Sequence, residues 1–581
     1  MNNSRTIDTA RSADLVSFNI LIEGAELSAV YQIKNISVEK EINRIPFAQL
    51  VFFDGDAASQ NFGLSNEDLL IPGKEIEIKA GYHHDNETIF KGIIIKHSIK
   101  IRENSSVLIV ECRDEAVKMT IGRKSNYYYE SKDSDIIEEI IGKYNLQSDV
   151  EATTFTNKEI VQYRTSDWDF IITRAQLNGQ VCRVDDGEIF IAKPDLSADA
   201  IETVAFGATL LDFDAEMDAR NQFSSITAFG WNPSDQEIVS TEAIDPTFAL
   251  NGNISVSDLA SVINLEDLEL KHGGNYNSTQ LQQWSDAKNV FQQLSKTRGR
   301  VKFQGISGAK PGTMLKLEGV GDRFNGKIFI SAVRHEIADG NWTVDAEFGV
   351  NPKWFSETYD ITELPASGII PAVSGLQIGV VSQLESDPDG EDRVLVKIPI
   401  INKDQQGIWA RIATLDAGDN RGSFFLPEIG DEVIVGFIND DPNHAVILGM
   451  LHSSAKPAPI TASDNNHEKG FVTRSEIKLI FNDKNKSIIL ETPGGKNIQI
   501  DEDAGVIKIE DDNRNTIIMD DGGIAIESGS DLNIKATGDC NIDATNINLK
   551  ANAQFKAEGS AGAEISTNAV AVLKGSLVQI N

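Results

Sequence analysis

The sequence predicts a mainly β protein made of several domains. Its 581 residues are too many for a single hydrophobic core, so three or four domains are expected. Short β-rich stretches separated by turn residues fill most of the chain, and amphipathic helical patterns are few. From Lys478 onward the β stretches recur at nearly regular intervals. That recurrence predicts an elongated, repetitive β-structure in the last part of the sequence.

The N-terminal two thirds of the sequence combine strand patterns with three helices. Strand-like runs such as Phe18–Ile22 and Val107–Val110 predict an antiparallel barrel or sandwich, which we assign to residues 1–130. Two helices are predicted next, the first from about Ser134 and the second capped by Ser166. A third helix is predicted over residues 279–296, and strand patterns resume at 301–348. Residues 131–366 are therefore predicted to form a helical insertion and a second β-barrel domain.

A compact all-β unit is predicted over residues 371–455. Five short apolar runs lie between Gly375 and Leu451. Five short strands in about 80 residues are typical of a small Greek-key barrel of the OB type.

In the C-terminal repeat, residues 470–581, an isoleucine recurs at a similar place in successive stretches. Ile488, Ile498, Ile507, Ile517 and Ile524 are separated by 10, 9, 10 and 7 residues. Asp, Asn or Gly closely follows most stretches, as expected of tight turns. After Ser528 the repeat shortens and alanine replaces many larger residues, which predicts a taper. The residues predicted to face the core of this structure are Ile488, Ile498, Ile507, Ile517, Ile524, Ile534 and Ile542.

Strands this short cannot close a core within one chain. A buried isoleucine contributes roughly 1.5–3 kcal/mol, whereas ordering the backbone costs on the order of 1–2 kcal/mol per residue. The repeat is therefore expected to associate with copies of itself. Three copies would close a three-sided prism and cover most sheet edges, which otherwise invite aggregation.

The net charge and the cysteine content limit the classes of partner and the cellular compartment that are expected. Lys and Arg total 53 against 88 Asp and Glu, a net charge of −35, which disfavours binding to nucleic acid or to anionic lipid. The three cysteines, Cys112, Cys182 and Cys540, are too far apart for a disulfide framework. The first residues lack the apolar core of a signal peptide, so assembly in the cytoplasm is expected.

Few residues in the sequence suggest a metal site or a catalytic site. His83–His84 and the acidic run Asp387–Asp392 are interpreted as surface turns, with a metal site as the less favoured alternative. The acidic turns 501–503 and 510–512 are interpreted as solvated corners that could trap cations in an oligomer. No catalytic motif is found, so we assign no catalytic, cofactor-binding or metal-binding residue. Two alternatives stay open: a trimeric β-helical tail fibre or adhesin, and a β-helical glycan-degrading enzyme.

A resemblance to a known family adds to this interpretation. The segment 375–451 resembles the OB-type domain of the VgrG and phage-baseplate spike proteins, and residues 163–170 and 326–336 look like parts of the same family's hub domain. The C-terminal repeat is similar to the family's triple-stranded β-helix. The family's OB motif is carried here by Trp409, Arg411, Pro427, Gly430, Asp431 and Gly436, among other matches.

The resemblance implies a mechanical role in a contractile injection system, either a type VI secretion apparatus or a phage-tail-like particle. It implies a homotrimer with a hub of paired β-barrels on the inner tube, an OB collar and a β-helical needle. The spike would be exported or released with the particle. It would puncture the target envelope when the sheath contracts, contacting the target membrane only then. The implied partners are inner-tube proteins, a PAAR-like protein at the tip and effector cargo.

Differences from other members of the family concern the C-terminal part of the predicted needle. Some relatives carry a lysozyme domain after the collar, for which residues 452–470 leave no room, and others carry a C-terminal effector domain. The last histidine, His467, precedes the needle, so a metal site built from needle histidines is not expected. A separate tip protein is expected to bind a platform made by Leu577, Val578, Gln579, Ile580 and Asn581.

Overall fold

The computed structural model describes residues 15–103, 105–265, 267–402 and 404–580. They form two compact units, of which the first runs to Ser374 and takes in Phe437–Pro442, and the second begins at Gly375. Strands outnumber helices throughout, which confirms the predicted mainly β fold class. In these described ranges, we find no helix with the length and apolar content that a membrane crossing requires.

Seven strands begin the first unit and enclose a hydrophobic core. Side chains alternate along them, as expected for strands with one buried face: β5 buries Ile76, Ile78 and Ala80, while Glu77 and Lys79 between them stay partly exposed. The strands are β1 (Val16–Ile22), β2 (Ala25–Glu26), β3 (Ile33–Glu41), β4 (Phe47–Phe53), β5 (Glu75–Tyr82), β6 (Asp85–Arg102) and β7 (Ser105–Arg113).

A helical insertion with its own core comes next. Its elements are β8 (Lys124–Lys132), α1 (Asp133–Gly142), β9 (Gln147–Val150), β10 (Thr156–Thr165), α2 (Asp167–Leu177), β11 (Val181–Asp185) and β12 (Glu188–Ala192). The predicted isoleucine stripe of α1 and the aromatic residues of α2 are buried together. Ser166 caps α2 as predicted, since its Oγ accepts a hydrogen bond from the Asp169 amide at 3.0 Å. Both helices were correctly predicted because their apolar periodicity is strong.

The second half of the first unit consists mainly of strands and includes one long helix. Its elements are β13 (Ala200–Ala205), β14 (Leu210–Met217), β15 (Ile226–Asn232), β16 (Glu237–Glu242), α3 (Val256–Ile263), β17 (Leu268–Lys271), α4 (Ser278–Leu294), β18 (Thr297–Gln304), β19 (Met314–Glu318), β20 (Gly326–Ala338), β21 (Asn341–Phe348) and α5 (Phe355–Thr358). The helix predicted at 279–296 is α4. The prediction missed α3, because eight residues give little more than two turns of periodicity.

The two predicted β-barrel regions share one sheet of 13 strands. β3 of the N-terminal half pairs antiparallel with β20 of the C-terminal half, and Glu41 lies opposite Ala332 in the register. Each half nevertheless keeps a separate hydrophobic core. The sequence predicted two separate barrels, because a strand pattern indicates which residues form a strand but not which strand it pairs with.

A buried ionic cluster lies where the two halves and the insertion meet. Lys40, on β3, is only 2% exposed, and its Nζ donates to Asp185 at 2.5 Å and to Asp186 at 3.0 Å. Asp185 also accepts a hydrogen bond from Lys310 Nζ at 2.6 Å, and Asp186 accepts one from the Lys91 amide at 3.0 Å. Burial opposes the ionised form of Asp185, but Lys40 and Lys310 outweigh burial and lower its pKa. The turn after β11 thereby ties the insertion to both halves of the sheet.

The second unit opens with the predicted OB-type barrel. Its strands are β22 (Gln377–Gln383), β23 (Val394–Lys397), β24 (Ile408–Ile412), β25 (Ala417–Gly418), β26 (Arg421–Gly422), β27 (Glu432–Phe437) and β28 (Ala445–Met450). β22, β23, β24, β28 and β27 close into a barrel in that order, with β24 parallel to β28. Small residues allow the close packing: a Cβ on Gly379 would lie 2.4 Å from Val396 Cγ1.

Seven short strands follow and form a single antiparallel sheet, which we call the needle sheet. Each strand pairs with the next along the chain, so the sheet is a meander. The strands are β29 (Glu468–Val472), β30 (Lys478–Asn482), β31 (Ser487–Glu491), β32 (Asn497–Asp501), β33 (Val506–Glu510), β34 (Thr516–Asp520) and β35 (Gly523–Glu527).

We predict that Lys40→Met destabilises the first unit by about 3–5 kcal/mol, because it removes the buried cation that pairs with Asp186 and leaves the partly buried Asp185 with Lys310 alone. Urea unfolding followed by tryptophan fluorescence measures the change. The control is Lys96→Met, which removes an exposed pair with Glu111 and should cost about 1 kcal/mol or less. Equal effects of the two substitutions would contradict a structural role for the buried cluster.

We also predict that acid weakens the first unit through His335. Burial, and to a smaller extent Lys40, lowers the pKa of this 2% exposed imidazole to about 3. The folded state thus binds fewer protons than the unfolded state, so the stability is present above about pH 6.5 and is lost as the pH falls toward 3, by up to about 5 kcal/mol. His335→Phe should flatten this pH dependence, whereas His452→Phe, at an exposed position, should leave it unchanged.

Candidate functional site

Most of the large apolar side chains of the needle sheet lie on one face. In a sheet, directly paired residues share a face, as do residues two apart in a strand. One row across the sheet contains Phe481, Ile488, Ile500, Ile507, Met519 and Ile524. The second row contains Phe471, Leu479, Leu490, Ile498, Ile509, Ile517 and Ile526. We call these two rows the apolar face.

The apolar face is open to solvent in the single chain. Ile488, Ile498 and Ile507 are 41–42% exposed, and Ile524 at the end of the sheet is 72% exposed. A groove of about 660 Å³ runs along part of this face, from Leu490 to Leu532. A soluble monomer rarely leaves a continuous apolar surface of this extent uncovered, so the apolar face has the character of an interface.

The opposite face carries paired polar groups along its margin. Lys478 Nζ lies 3.2 Å from Glu491, its cross-strand neighbour, and Asn497 donates to Glu510 at 2.6 Å. Ile480, Ile489 and Ile518 occupy the middle of this face together with Gln499 and Lys508. The sheet is thus polarised, with the larger apolar area on one side and the hydrogen-bonded charges on the other.

The acidic turns of the needle sheet hold the backbone in place. Asp511 Oδ1 accepts hydrogen bonds from the Asn513 and Asn515 amides at 2.8 and 3.0 Å, and Asp501 accepts one from the Ala504 amide at 2.9 Å. The hydrogen bonds from Asn515 lower the pKa of Asp511 to about 2. These carboxylates therefore stabilise the turns by the side-chain-to-backbone bonding that makes Asp and Asn favourable there.

The backbone of residues 532–580 forms no strand pairing within the described part of the chain. In the described structure, no hydrogen bond between backbone groups involves this segment, and none of it is assigned to a strand. Its apolar side chains are exposed, from 51% for Ile547 to 91% for Ile565. Backbone groups demand hydrogen-bond partners, so this C-terminal segment, like the apolar face, has the character of an interface.

The apolar face extends into the OB-type barrel. Phe425, in the loop before β27, stacks on Phe471 of β29 with ring centroids 5.4 Å apart. Arg474 reinforces this junction with an ion pair to Glu428 at 2.7 Å. Phe424 beside the stack is 82% exposed. The uncovered apolar surface therefore begins at the barrel and continues along the needle sheet.

The structure brings five of the seven predicted core residues onto this one face. Ile488, Ile507 and Ile524 share a row with each other, and Ile498 and Ile517 lie in the other row. The other two predicted residues, Ile534 and Ile542, lie in the exposed C-terminal segment. Sequence analysis missed the second apolar residue of each strand, including Leu490, Ile500, Ile509, Met519 and Ile526. The alternation Ile-Gln-Ile at 498–500 was the signal that could have revealed them.

The predicted OB motif residues lie in the turn before β27 and on strands β24 and β27. Pro427 is buried, Gly430 has a φ of +85°, and Asp431 accepts a hydrogen bond from the Glu428 amide at 2.9 Å. A Cβ on Gly436 would lie 3.3 Å from Leu448 Cδ1, and Trp409 and Arg411 lie on β24. These residues shape the fold of the barrel. The predicted tip residues 577–580 are exposed and form no strand within the chain, and Asn581 lies outside the described residues.

The two weaker chemical candidates lie in turns. His83 and His84 have φ values of 54° and 65° at the tight turn between β5 and β6. Asp387 accepts hydrogen bonds from Arg393, which hold the pKa of its carboxyl well below the usual range. Among the described residues, no group of three or more His, Cys, Asp or Glu side chains is arranged to hold a metal ion.

Comparison with protein families assigns most of the first unit. A family model described as the Alg8 N-terminal domain matches residues 12–339, which is more than half of the chain. The chain belongs to this family. A second model, the type VI secretion system/phage-baseplate injector OB domain, matches residues 377–452 and coincides with the closed barrel.

Curated relatives point to the same class of protein. The type VI secretion system spike protein VgrG1a of Pseudomonas aeruginosa is 26% identical over 207 residues, covering 32% of this chain and 31% of the relative. VgrG3 of Vibrio cholerae is 32% identical over 117 residues, covering 18% of this chain and 11% of the relative. The matched parts thus span less than a third of these relatives. Together with the OB-domain match, they confirm the resemblance to VgrG-type spike proteins.

Solved structures with a similar arrangement include a tail protein from Neisseria meningitidis. It has a TM-score of 0.44 and 13% identity, covering 60% of this chain and all of that chain. The VgrG complex with PdpA from Francisella has a TM-score of 0.38 and 10% identity, covering 90% of this chain and 89% of that chain. Scores below 0.5 carry no argument about this chain, and its likeness to VgrG-type spike proteins rests on the sequence matches.

Proposed function

We propose that the chain is the structural spike of a contractile injection system and acts as a homotrimer. The observation that carries the proposal is the apolar face, because a spike needs a stiff shaft and this face supplies the surface on which copies pack. The proposal assigns the chain a mechanical role without catalysis. Its attachment to the inner tube is assigned to the first unit, in keeping with the resemblance to hub domains.

Strand length supports three copies. Every strand of the needle sheet has five residues, which span roughly 17 Å at about 3.3 Å per residue. A three-sided prism with faces of that width places each sheet roughly 5 Å from the axis. Packed sheets lie about 10 Å apart, so each normally lies about 5 Å from the plane midway between them. Four copies would place each sheet more than 8 Å from the axis and leave a hollow centre.

The C-terminal segment supports the same arrangement. Residues 532–580 alternate polar and apolar residues in short runs such as Leu532–Ile534 and Ile547–Leu549, which is a strand pattern. Because these runs form no strand pairing within the described part of the chain, hydrogen bonds to the same segment of neighbouring copies would complete the strands. The needle would then continue as intertwined strands beyond the needle sheet.

The proposal places other proteins at both ends of the spike. A PAAR-like protein is proposed to cap the platform of residues 577–581, where Leu577 and Ile580 are 81% and 84% exposed. Inner-tube proteins are proposed to bind the first unit, and effector cargo to travel with the spike. Assembly is proposed to occur in the cytoplasm, with export or release as part of the particle, and the target envelope is punctured when the sheath contracts.

We predict that Ile507→Asp abolishes the trimer. Three carboxylates would meet near the axis in one layer, and each unpaired buried charge costs several kcal/mol. Native mass spectrometry measures the oligomeric state, and heating in SDS measures resistance to unfolding. Lys508→Asp is the matched control, since the same side chain is introduced at the next residue on the opposite face. A heat-resistant trimer of Ile507→Asp would contradict the proposed inward face.

We predict that deleting residues 577–581 removes binding of the tip protein and leaves the trimer intact. Leu577, Val578 and Ile580 are exposed in the single chain, so their removal should not disturb the packing of the needle sheet. Co-purification with a PAAR-like protein tests the binding, and native mass spectrometry tests the trimer. Glu558→Gln, an exposed change farther from the end, is the control. Unchanged co-purification of the deletion variant would refute the platform.

A further inference from the structure

A small three-stranded sheet in the first unit has one packed face. β15 is its middle strand, paired antiparallel with β16 and parallel with β17. Ala228 and Gly230 are buried on the inner face, which packs against α4, since a Cβ on Gly230 would lie 3.4 Å from Leu281 Cδ1. Thr241 of β16 adds a hydrogen bond from its Oγ1 to the Ser278 carbonyl at 3.4 Å. The side chains of the outer face therefore lie on the side away from α4.

The outer face of this sheet carries exposed apolar side chains. Directly paired residues share a face, as do residues two apart in one strand. Phe229 and Trp231 follow one another along β15 on the outer face, and Ile238 of β16 pairs with Trp231. Trp231 and Ile238 are 42% and 69% exposed. We call this surface the acidic–aromatic face, and its members by register are Thr227, Phe229, Trp231, Ile238, Glu242 and Glu269.

Carboxylates border the apolar side chains at one end of the acidic–aromatic face. Glu242 and Glu269 both pair with Thr227, from opposite sides of β15. Asp267 lies beside them, since its Oδ1 accepts a hydrogen bond from Thr227 Oγ1 at 3.1 Å. Glu269 is paired with Lys271, whereas neither Glu242 nor Asp267 forms an ion pair with a described residue. Two of the three carboxylates at this end are thus left without a cation.

Lys271 shows how the acidic–aromatic face receives a cation. It pairs with Phe229 across the strands, its Nζ lies 5.7 Å from the centroid of the Phe229 ring, and it forms the ion pair with Glu269. An ammonium over an aromatic ring and beside a carboxylate is attracted by both. Tryptophan attracts cations more strongly than phenylalanine, yet no Lys or Arg of the described residues lies over the Trp231 ring. Trp231 is therefore a second cation acceptor that the chain itself does not fill.

We infer that the acidic–aromatic face binds a basic segment of another protein. One Arg or Lys side chain of that segment stacks on Trp231, and a second pairs with Glu242 and Asp267. Trp231 and Thr227 are four residues apart on β15, so the two cations are about 13 Å apart, which is the span of four residues in an extended strand. The inference does not rest on the proposed trimer, because the whole face belongs to one chain.

Charge selects this occupant over the alternatives. The chain has a net charge of −35, and residues 221–270 contain no Lys or Arg. A second copy of the chain, an anionic lipid or a nucleic acid would therefore bring like charge to the face. A neutral ligand could stack on Trp231 but would leave Glu242 and Asp267 without a cation. A basic protein segment satisfies both parts of the face.

Binding of labelled peptides to the full chain tests the inference. The probe is a fluorescein-labelled peptide of serine and threonine that contains two arginines four residues apart, and fluorescence anisotropy at about 0.15 M salt measures its affinity. One control peptide has the same composition with the arginines adjacent, and another has glutamine in place of both. We expect the probe to bind several-fold more tightly than the first control and at least about tenfold more tightly than the second.

Variants of the chain locate the binding site. Trp231→Ala should weaken binding of the probe about tenfold and Glu242→Gln several-fold, because each removes one cation acceptor. The matched controls are Phe206→Ala and Glu138→Gln, which remove an exposed aromatic ring and an exposed carboxylate elsewhere in the first unit and should leave the affinity within about twofold.

Photo-crosslinking provides a second measurement that leaves Trp231 and Glu242 intact. The full chain carries p-benzoylphenylalanine in place of Ile238, and the control carries it in place of Phe206, which is 65% exposed. Irradiation should attach the probe several-fold more at position 238 than at position 206. Equal labelling at the two positions, equal affinity for the arginine and glutamine peptides, or unchanged affinity in Trp231→Ala and Glu242→Gln would each overturn the inference.

Discussion

Every strand of the needle sheet is five residues long, and that length limits what one chain can bury. A five-residue strand offers two side chains to the apolar face, and two side chains cannot offset the cost of ordering the strand unless another surface covers them. Paired charges on the opposite margin and carboxylates that bond the turns keep the sheet oriented and in register. The single chain thus presents an apolar surface that the proposed trimer would cover.

The first unit, by contrast, buries its apolar side chains within the single chain. Its sheet and insertion enclose separate cores, and the charged cluster around Lys40 joins them with directional bonds. A buried ionic cluster specifies geometry more than it adds stability, because desolvation offsets much of the attraction. The unit therefore has a defined arrangement before any partner binds, which suits a part that must hold a fixed position in an assembly.

Much of this architecture could be predicted from sequence, and the misses have physical causes. The Ile136–Ile141 stripe, the Ser166 cap and the isoleucine spacing of the needle report local periodicity, and the structure contains the corresponding elements. The pairing of β3 with β20 joins residues nearly 300 positions apart, which periodicity does not encode. The remaining apolar residues of the needle sheet were not predicted, because the core residues were chosen from the spacing of a single isoleucine in each stretch.

The absence of strand pairing in the described residues 532–580 also affects how the protein would assemble during synthesis. The needle sheet forms its hydrogen bonds within one chain, so its folding rate does not depend on how many copies are present. In the proposed trimer, the C-terminal segment orders only by collision with other copies, so its rate rises with protomer concentration. Synthesis of several copies close together, as on one messenger RNA, would therefore shorten the time during which this segment stays open to proteases and aggregation.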